Sequence, residues 1–148
     1  IDTVSSSTGT SALVTVVERV SKYCAICWIP DRTQRTVSKH ILALLKPFKQ
    51  YVLTITSDNG IEFASHKYIA RKLVADFYFA HPYKSWERGL NENTNGLIRQ
   101  YLPKGTSFED LSTKEIFRIT QELNRRPRKT LGFRTPVDVL YKSVALAG

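Results

Sequence analysis

The chain has 148 residues, 42% of them hydrophobic, enough for one compact core and too few for two ordinary domains. Twenty-two Lys and Arg against thirteen Asp and Glu give a net charge of +9, which points to a polyanionic partner, nucleic acid first, although a membrane surface or a ribosome-like assembly would suit the same number. No apolar run approaches the roughly 18 residues that span a bilayer and no signal peptide is visible, so a soluble, cytoplasmic protein is expected, with no membrane partner.

Ile1 to Val4 fits a first strand. The chain opens on it directly and contains no Met, which suggests one domain, residues 1–148, excised from a longer protein. Ser5 to Ser11 is a polar connection without core-forming residues, expected to be mobile. Ala12 to Glu18 and Tyr23 to Pro30 are rich in β-branched and aromatic residues and read as a hairpin closed by Arg19 to Lys22. Cys24 and Cys27 lie three apart on its second strand, pointing to opposite faces, and no second Cys or His pair completes a zinc site. Buried, reduced thiols are expected rather than a redox or metal motif.

Val37, Ile41, Leu44, Leu45 and Phe48 recur at helical spacing after Asp31 or Thr33 as N-cap, predicting a helix up to about Pro47. A strand Tyr51 to Thr56, a short helix Ser65 to Leu73 and a strand Ala75 to Phe79 follow, before a loop over Ala80 to Arg88. From Leu90 the pattern is helical again. Ser112 and Glu115 form a capping box ahead of Ile116, Phe117, Ile119 and Leu123, and Thr135-Pro136 opens a last helix through about Leu146. Three strands followed by alternating helices and strands indicate an α/β layer structure, with helices covering a partly antiparallel sheet.

At about 100 degrees per residue, Glu92 and Arg99 share one face of the helix that begins near Leu90, with Asn95 beside them and Leu90, Leu97 and Tyr101 opposite. An acid and a guanidinium held away from the buried side suit a metal ligand beside a phosphate clamp. Asp58 follows the strand Tyr51 to Thr56 at its C-terminal end, where open α/β sheets usually carry functional groups. Asp58-Asn59-Gly60 by itself also reads simply as a tight turn, since Asn and Gly tolerate positive φ and Asp caps turns.

Three separated segments change the weighing: Thr56-Ser57-Asp58-Asn59-Gly60-Ile61-Glu62-Phe63, the run Trp86 to Arg99, and Asn124 to Pro136, in that order. Together they resemble the catalytic core of a bacterial insertion-sequence transposase of the DDE class, in the insertion sequence thirty group, similar to retroviral integrase cores. The resemblance implies an RNase H-like fold with a five-stranded mixed sheet flanked by helices. It implies that Asp2, Asp58 and Glu92 are the three catalytic acids, holding two Mg²⁺ ions for which Mn²⁺ can substitute, and that Arg99 lies near the DNA end. The activity implied is cleavage at a transposon end to free a 3′-hydroxyl, then attack of that hydroxyl on target DNA, in a homo-oligomeric synaptic complex.

Three converging carboxylates repel one another unless a cation neutralises them, and magnesium is the hard, oxygen-seeking choice. Around them, Lys84, Arg88 and Lys104 flank the acidic helix and can hold phosphates, while Arg118, Arg125, Arg126, Arg128, Lys129 and Arg134 cluster further on, opposed locally by Glu122 alone. The plainer reading of that cluster is a solvated charged surface. Tyr83 and Trp86 suit stacking on an unpaired base or anchoring of their loop. Glu62 is read as supporting rather than ligating. Asp31 and Asp76 read as loop or strand-end residues, and His40, His66 and His81 as packing or hydrogen-bonding residues. Two other functions fit parts of the pattern: a catalytically inactive RNase H-like DNA-binding module, and an assembly domain whose basic face contacts RNA or protein.

Overall fold

The computed structural model describes residues 1–82 and 85–147, of which 85–88 by their backbone alone. Strand β1 (Asp2–Ser5) pairs antiparallel with β2 (Ala12–Val17), and β2 with β3 (Cys24–Ile29). The hairpin turn between β2 and β3 is tied by one carboxylate. Glu18 accepts hydrogen bonds from the amides of Val20 and Ser21, at 2.9 and 2.6 Å, and from Ser21 Oγ at 2.6 Å. Residues Ser5 to Ser11 are pinned rather than loose. The Ser7 amide donates to the Thr106 carbonyl at 3.2 Å, the Phe108 amide to Ser6 Oγ at 2.9 Å, and Thr8 Oγ1 to Ser107 Oγ at 2.9 Å. The hydroxyls that removed this stretch from the core give it donors and acceptors for a neighbouring loop.

Helix α1 (Gln34–Leu45) is capped by Thr33, whose hydroxyl accepts from the Thr36 amide, while Asp31 accepts from the Thr33 amide. Pro47 lies at the start of a 3-10 stretch, Lys46–Tyr51. Its missing amide and ring bulk end regular helix here, and strand β4 starts at Thr54, later than the expected Tyr51. β4 (Thr54–Ser57) runs parallel to β5 (Asp76–Phe79), with α2 (His66–Leu73) between them in sequence. Helix α3 spans Ser85–Tyr101, beginning five residues before the expected Leu90. α4 is Thr113–Arg125 and α5 Pro136–Ala147. The Ser112–Glu115 capping box is formed.

Among the described residues, five strands lie in two sheets, an antiparallel β1-β2-β3 and a parallel β4-β5, rather than in the one mixed sheet expected. Ile1, just ahead of β1, reaches across to β4 with its amino group, which donates to the Thr56 carbonyl at 2.7 Å. Strand alternation splits the core into two clusters. Ala12, Val14 and Ile29 pack with Val37, Ile41, Phe63 and Ile69 on the α1 and α2 side. Leu13, Cys24 and Ile26 pack with Ile98, Phe108, Ile119 and Leu123 on the α3 and α4 side. The two cysteines are free thiols divided between these faces.

Candidate active site

The centre of the arrangement is the contact between β1 and α3. Asp2 shares a strand face with Val4, the face covered by α3 and α4. Its Oδ2 accepts from Asn95 Nδ2 at 2.8 Å and its Oδ1 from the Thr3 amide at 2.8 Å. Thr15, the fully buried residue opposite Asp2 in β2, donates at 3.3 Å to the Asp2 carbonyl, with Asn95 Oδ1 3.5 Å away. Asn91 Nδ2 donates to the Ile1 carbonyl at 3.2 Å, and Arg99 Nη2 to the Ser5 carbonyl at 2.9 Å. α3 is therefore laced to β1 at three places. Glu92, one residue past Asn91 and one turn before Asn95, is exposed on the rim of that contact.

Asp58 stands immediately after β4. Its Oδ1 accepts from the Gly60 amide at 3.0 Å, the tight turn expected of Asp-Asn-Gly. Glu62 Oε1 accepts from Thr3 Oγ1 at 3.0 Å, so this carboxylate ties the turn to the strand that carries Asp2. Gly60 has no room for a side chain, since a Cβ would collide with Glu62 Oε2 and lie 3.0 Å from Asp58 Oδ1. Two carboxylates thus converge over Gly60. Burial lowers the pKa of the Ile1 amino group from 8.0 to about 6, against the pull of the Asp2 and Asp58 charges, which act to raise it. Both acids therefore lie within electrostatic reach of one point on the β1–β4 seam. Among the described residues, no group of three or more His, Cys, Asp or Glu is gathered closely enough to hold a metal ion.

The cations fall into three groups. The side chains of Lys84 and Arg88, with those of Tyr83 and Trp86, lie outside the described residues. Arg99 is spent on the scaffold: besides Ser5, its guanidinium donates to the Leu102 and Pro103 carbonyls at 3.3 and 3.5 Å, and it lies 5.6 Å from the Phe108 ring centroid. These bonds fix the guanidinium beside the end of β1. Arg128 is half-buried, donates to the Leu123 carbonyl at 3.1 Å and has a pKa lowered by desolvation, so it too serves mainly the interior. Lys104, Arg125, Arg126 and Lys129 are exposed. Arg126 reaches Gln100 Oε1 at 3.0 Å, linking α4 to α3, and Arg118 pairs with Glu122 at 2.7 Å. Of the histidines, His66 packs edge-on against Phe79, and His40 Nδ1 lies 2.8 Å from the Thr36 carbonyl.

Sequence reasoning passed over Asn91 and Thr15, and placed Asn95 on the polar helix face without giving it a role. Two asparagines four apart lie on one helix stripe, and this was the available signal: Asn is a poor helix former, and a stripe of them needs a partner.

Comparison with known proteins then bears on the arrangement. The profile of the family described as Integrase core domain matches residues 1–85. A transposase for insertion sequence element IS4351 of Bacteroides fragilis is 46% identical over 136 residues, 92% of this chain and 42% of that protein. The transposase InsI for insertion sequence element IS30A of Escherichia coli strain K12 is 37% identical over 145 residues, 95% of this chain and 37% of that one. The chain thus spans about two fifths of the length of these relatives. Among solved structures, the catalytic core domain of BIV integrase superposes with a TM-score of 0.71 at 22% identity, over 99% of this chain and 95% of the other. That likeness shows an RNase H-like α/β fold. Among the described residues, no helix is long and apolar enough to cross a membrane.

Proposed function

From the premise that this chain belongs to the integrase core domain family, we propose that it is the catalytic core of a DDE transposase. It acts on DNA, freeing a 3′-hydroxyl at the end of a mobile element and joining it to target DNA. The observation that carries this reading is the convergence of β1, the Asp58 turn and α3 through Asn95, Glu62 and the Ile1 amino group, with Asp2 and Asp58 at the seam and Glu92 on its rim.

Asp2, Asp58 and Glu92 are the residues that would hold divalent metal. The donor set is oxygen only, which fits Mg²⁺ with Mn²⁺ able to replace it, and a cation between these carboxylates would offset their mutual repulsion. Divalent metal held there would supply activation of the attacking oxygen and stabilisation of the leaving one. The chain's own work is orientation. The Asn95 amide and the Thr3 backbone hold both oxygens of Asp2, and the Gly60 amide holds Asp58. Glu92 is exposed at the rim, and in this reading it is the third acid, open to an approaching phosphodiester. Lys84, Arg88, Lys104, Arg125, Arg126 and Lys129 attract the DNA backbone without reading sequence.

Residues 1–148 act as one unit in this reading, and the Ile1–Thr56 link supports treating both sheets as parts of one five-stranded mixed sheet. A homo-oligomer that pairs two DNA ends is expected, working in the cytoplasm where its DNA lies. A second reading, an RNase H-like DNA-binding module without activity, is supported by the siting of Arg125, Arg126 and Lys129. They stand at and beyond the end of α4, on elements other than those bearing the acids, so binding is separable from chemistry. The deciding experiment is nicking of a labelled duplex carrying a transposon end, in Mg²⁺ or Mn²⁺, by this chain and by Asp58→Asn and Glu92→Gln. Metal-dependent nicking lost in both variants supports the transposase core. DNA binding equal in all three, with no nicking by any, supports the binding module.

A further inference from the structure

Phe133 is a large apolar side chain held out in solvent, 71% exposed, on a backbone with φ 64°. For a bulky residue that conformation is a strained outlier, and it persists only where the surroundings over-determine it. The other described non-glycine residues at positive φ each close a local element, Lys22 the β2–β3 turn and Val74 the end of α2. Phe133 differs, because Gly132, φ 62°, already caps the 3-10 turn Lys129–Leu131, and a second left-handed residue follows it directly. The loop imposes this conformation. The Phe133 amide donates to the Arg128 carbonyl at 2.9 Å, the Arg128 amide to the Arg134 carbonyl at 3.0 Å, and Arg134 Nε to the Leu131 carbonyl at 3.0 Å. Leu131 on one side and Pro136 on the other are buried, so the loop is anchored at both ends while the ring between them stands clear.

The charge around the ring has one sign. From Leu123 to Val137 the chain carries Arg125, Arg126, Arg128, Lys129 and Arg134 and no Asp or Glu, and all of these cations except Arg128 are exposed. Arg126 also reaches Gln100 on α3, the helix that carries Glu92. A fixed aromatic face among cations suits a nucleic-acid strand, which offers a base to stack and phosphates to neutralise, whereas an apolar protein segment would leave the cations unmatched. We propose that Phe133 is a stacking platform for an unpaired base of the DNA, with Arg126, Lys129 and Arg134 on the neighbouring phosphates. A base inside a duplex is already stacked on both faces, so this platform favours a frayed or overhanging strand over a blunt duplex. The strained backbone holds the ring ready for a contact that the free chain does not make. The inference rests on the reading that the chain acts on DNA, but it requires nothing of the three acids and no metal.

The test measures binding by fluorescence anisotropy in EDTA, so that no chemistry is asked of the acids, with a labelled blunt duplex and the same duplex carrying a short unpaired 3′ overhang. The parent should bind the overhang probe more tightly. Phe133→Gly and Phe133→Leu should weaken overhang binding at least about fivefold while leaving the blunt duplex unaffected, and Phe133→Trp should restore the preference, with its added indole fluorescence quenched by the overhang strand. Since glycine adopts positive φ without strain and the exposed ring packs on little, Phe133→Gly should also melt no lower than the parent. Equal binding of the overhang probe by all four chains would overturn the proposal and leave DNA binding itself standing. Failure of every chain to bind either probe would remove the DNA reading as well. A Tm several degrees lower for Phe133→Gly, with the overhang preference intact, would make the ring a packing group and likewise decide against the platform.

Discussion

Asn124 shows what a single buried side chain contributes here. It is 2% exposed, its Oδ1 accepts from the Cys24 amide at 2.9 Å, and its Nδ2 donates to the Cys24 carbonyl at 2.7 Å. α4 is thereby fastened to the start of β3 by a side chain that mimics a strand partner. Asn124→Ala leaves both backbone groups of Cys24 buried without this partner, and should cost about 2–4 kcal/mol in urea unfolding. A loss within experimental error of zero would mean that water or another group replaces it. Burial raises the pKa of the Cys24 thiol to about 11 and, on the opposite face of the strand, that of Cys27 to about 12. Neither should react with a thiol reagent near pH 8 until the protein is unfolded, since the thiolate is the reactive form. Fast modification of the folded chain would contradict the packing. Arg99 and Arg126 separate on another measurement. Arg99→Ala should lower stability by about 1–3 kcal/mol through three unmade carbonyl contacts while leaving the salt dependence of DNA binding nearly unchanged. At this scale the sequence was partly legible. The turn at Asp58 and the exposed face of Glu92 could be read from spacing, but the partner of Arg99 could not. A guanidinium on a polar helix face looks the same whether it meets solvent or a carbonyl 94 residues away.

Among the elements, α2 ends on Val74 in the left-handed conformation, φ 58° and ψ 48°, with the side chain 82% exposed. A β-branched residue is strained there and gains little from burial. Val74→Gly should therefore raise stability by about 0.5–1 kcal/mol, net of the entropy that glycine adds to the unfolded chain. A lower Tm would show that the side chain packs in a way its exposure conceals. The β2–β3 turn offers a pH test. Burial alone would raise the Glu18 pKa, but hydrogen bonds from Ser21 and Val20 outweigh it and leave the pKa lowered. A carboxylate lowered on folding stabilises the protein above its unfolded pKa, and that contribution is lost as pH falls through the folded one. Glu18→Gln should therefore destabilise by about 1 kcal/mol at neutral pH, with the gap to the parent closing below about pH 4, as followed by thermal melts across that range. Local signals served best where chemistry is local. Thr33 and the Ser112–Glu115 box act within four residues, and both helix starts were readable. The start of α3 was not. Ala80 to Arg88 read as a loop, yet the helix runs from Ser85. Ser5 to Ser11 misled in the opposite direction, because its partners lie about a hundred residues on and leave no mark on the segment itself.

At the scale of the whole molecule, the +9 charge and the exposed Arg125, Arg126 and Lys129 predict sequence-independent duplex binding that weakens steeply with salt. Replacing all three by Ala should reduce the slope of log affinity against log salt by about 3 if each meets one phosphate, as read by fluorescence anisotropy. An unchanged slope would move the DNA to another face. The overall layering was legible because two hydrophobic sets alternate along β2 and serve opposite cores. The division into two sheets was not, since strand pairing across the β1–β4 seam leaves no mark on the spacing of residues within either strand. The three ties between α3 and β1 have one more consequence. Asn91 and Arg99 are eight helical residues apart, about 12 Å, and their targets Ile1 and Ser5 are four strand residues apart, about 13 Å. The two spacings are commensurate, like two rulers whose marks coincide at both ends. Inserting or deleting one residue inside 91–99 or inside 1–5 turns the helix face or flips the strand and puts the ties on its two sides out of phase with each other, so length variation among functional versions of this domain should be confined to the connections outside those two segments.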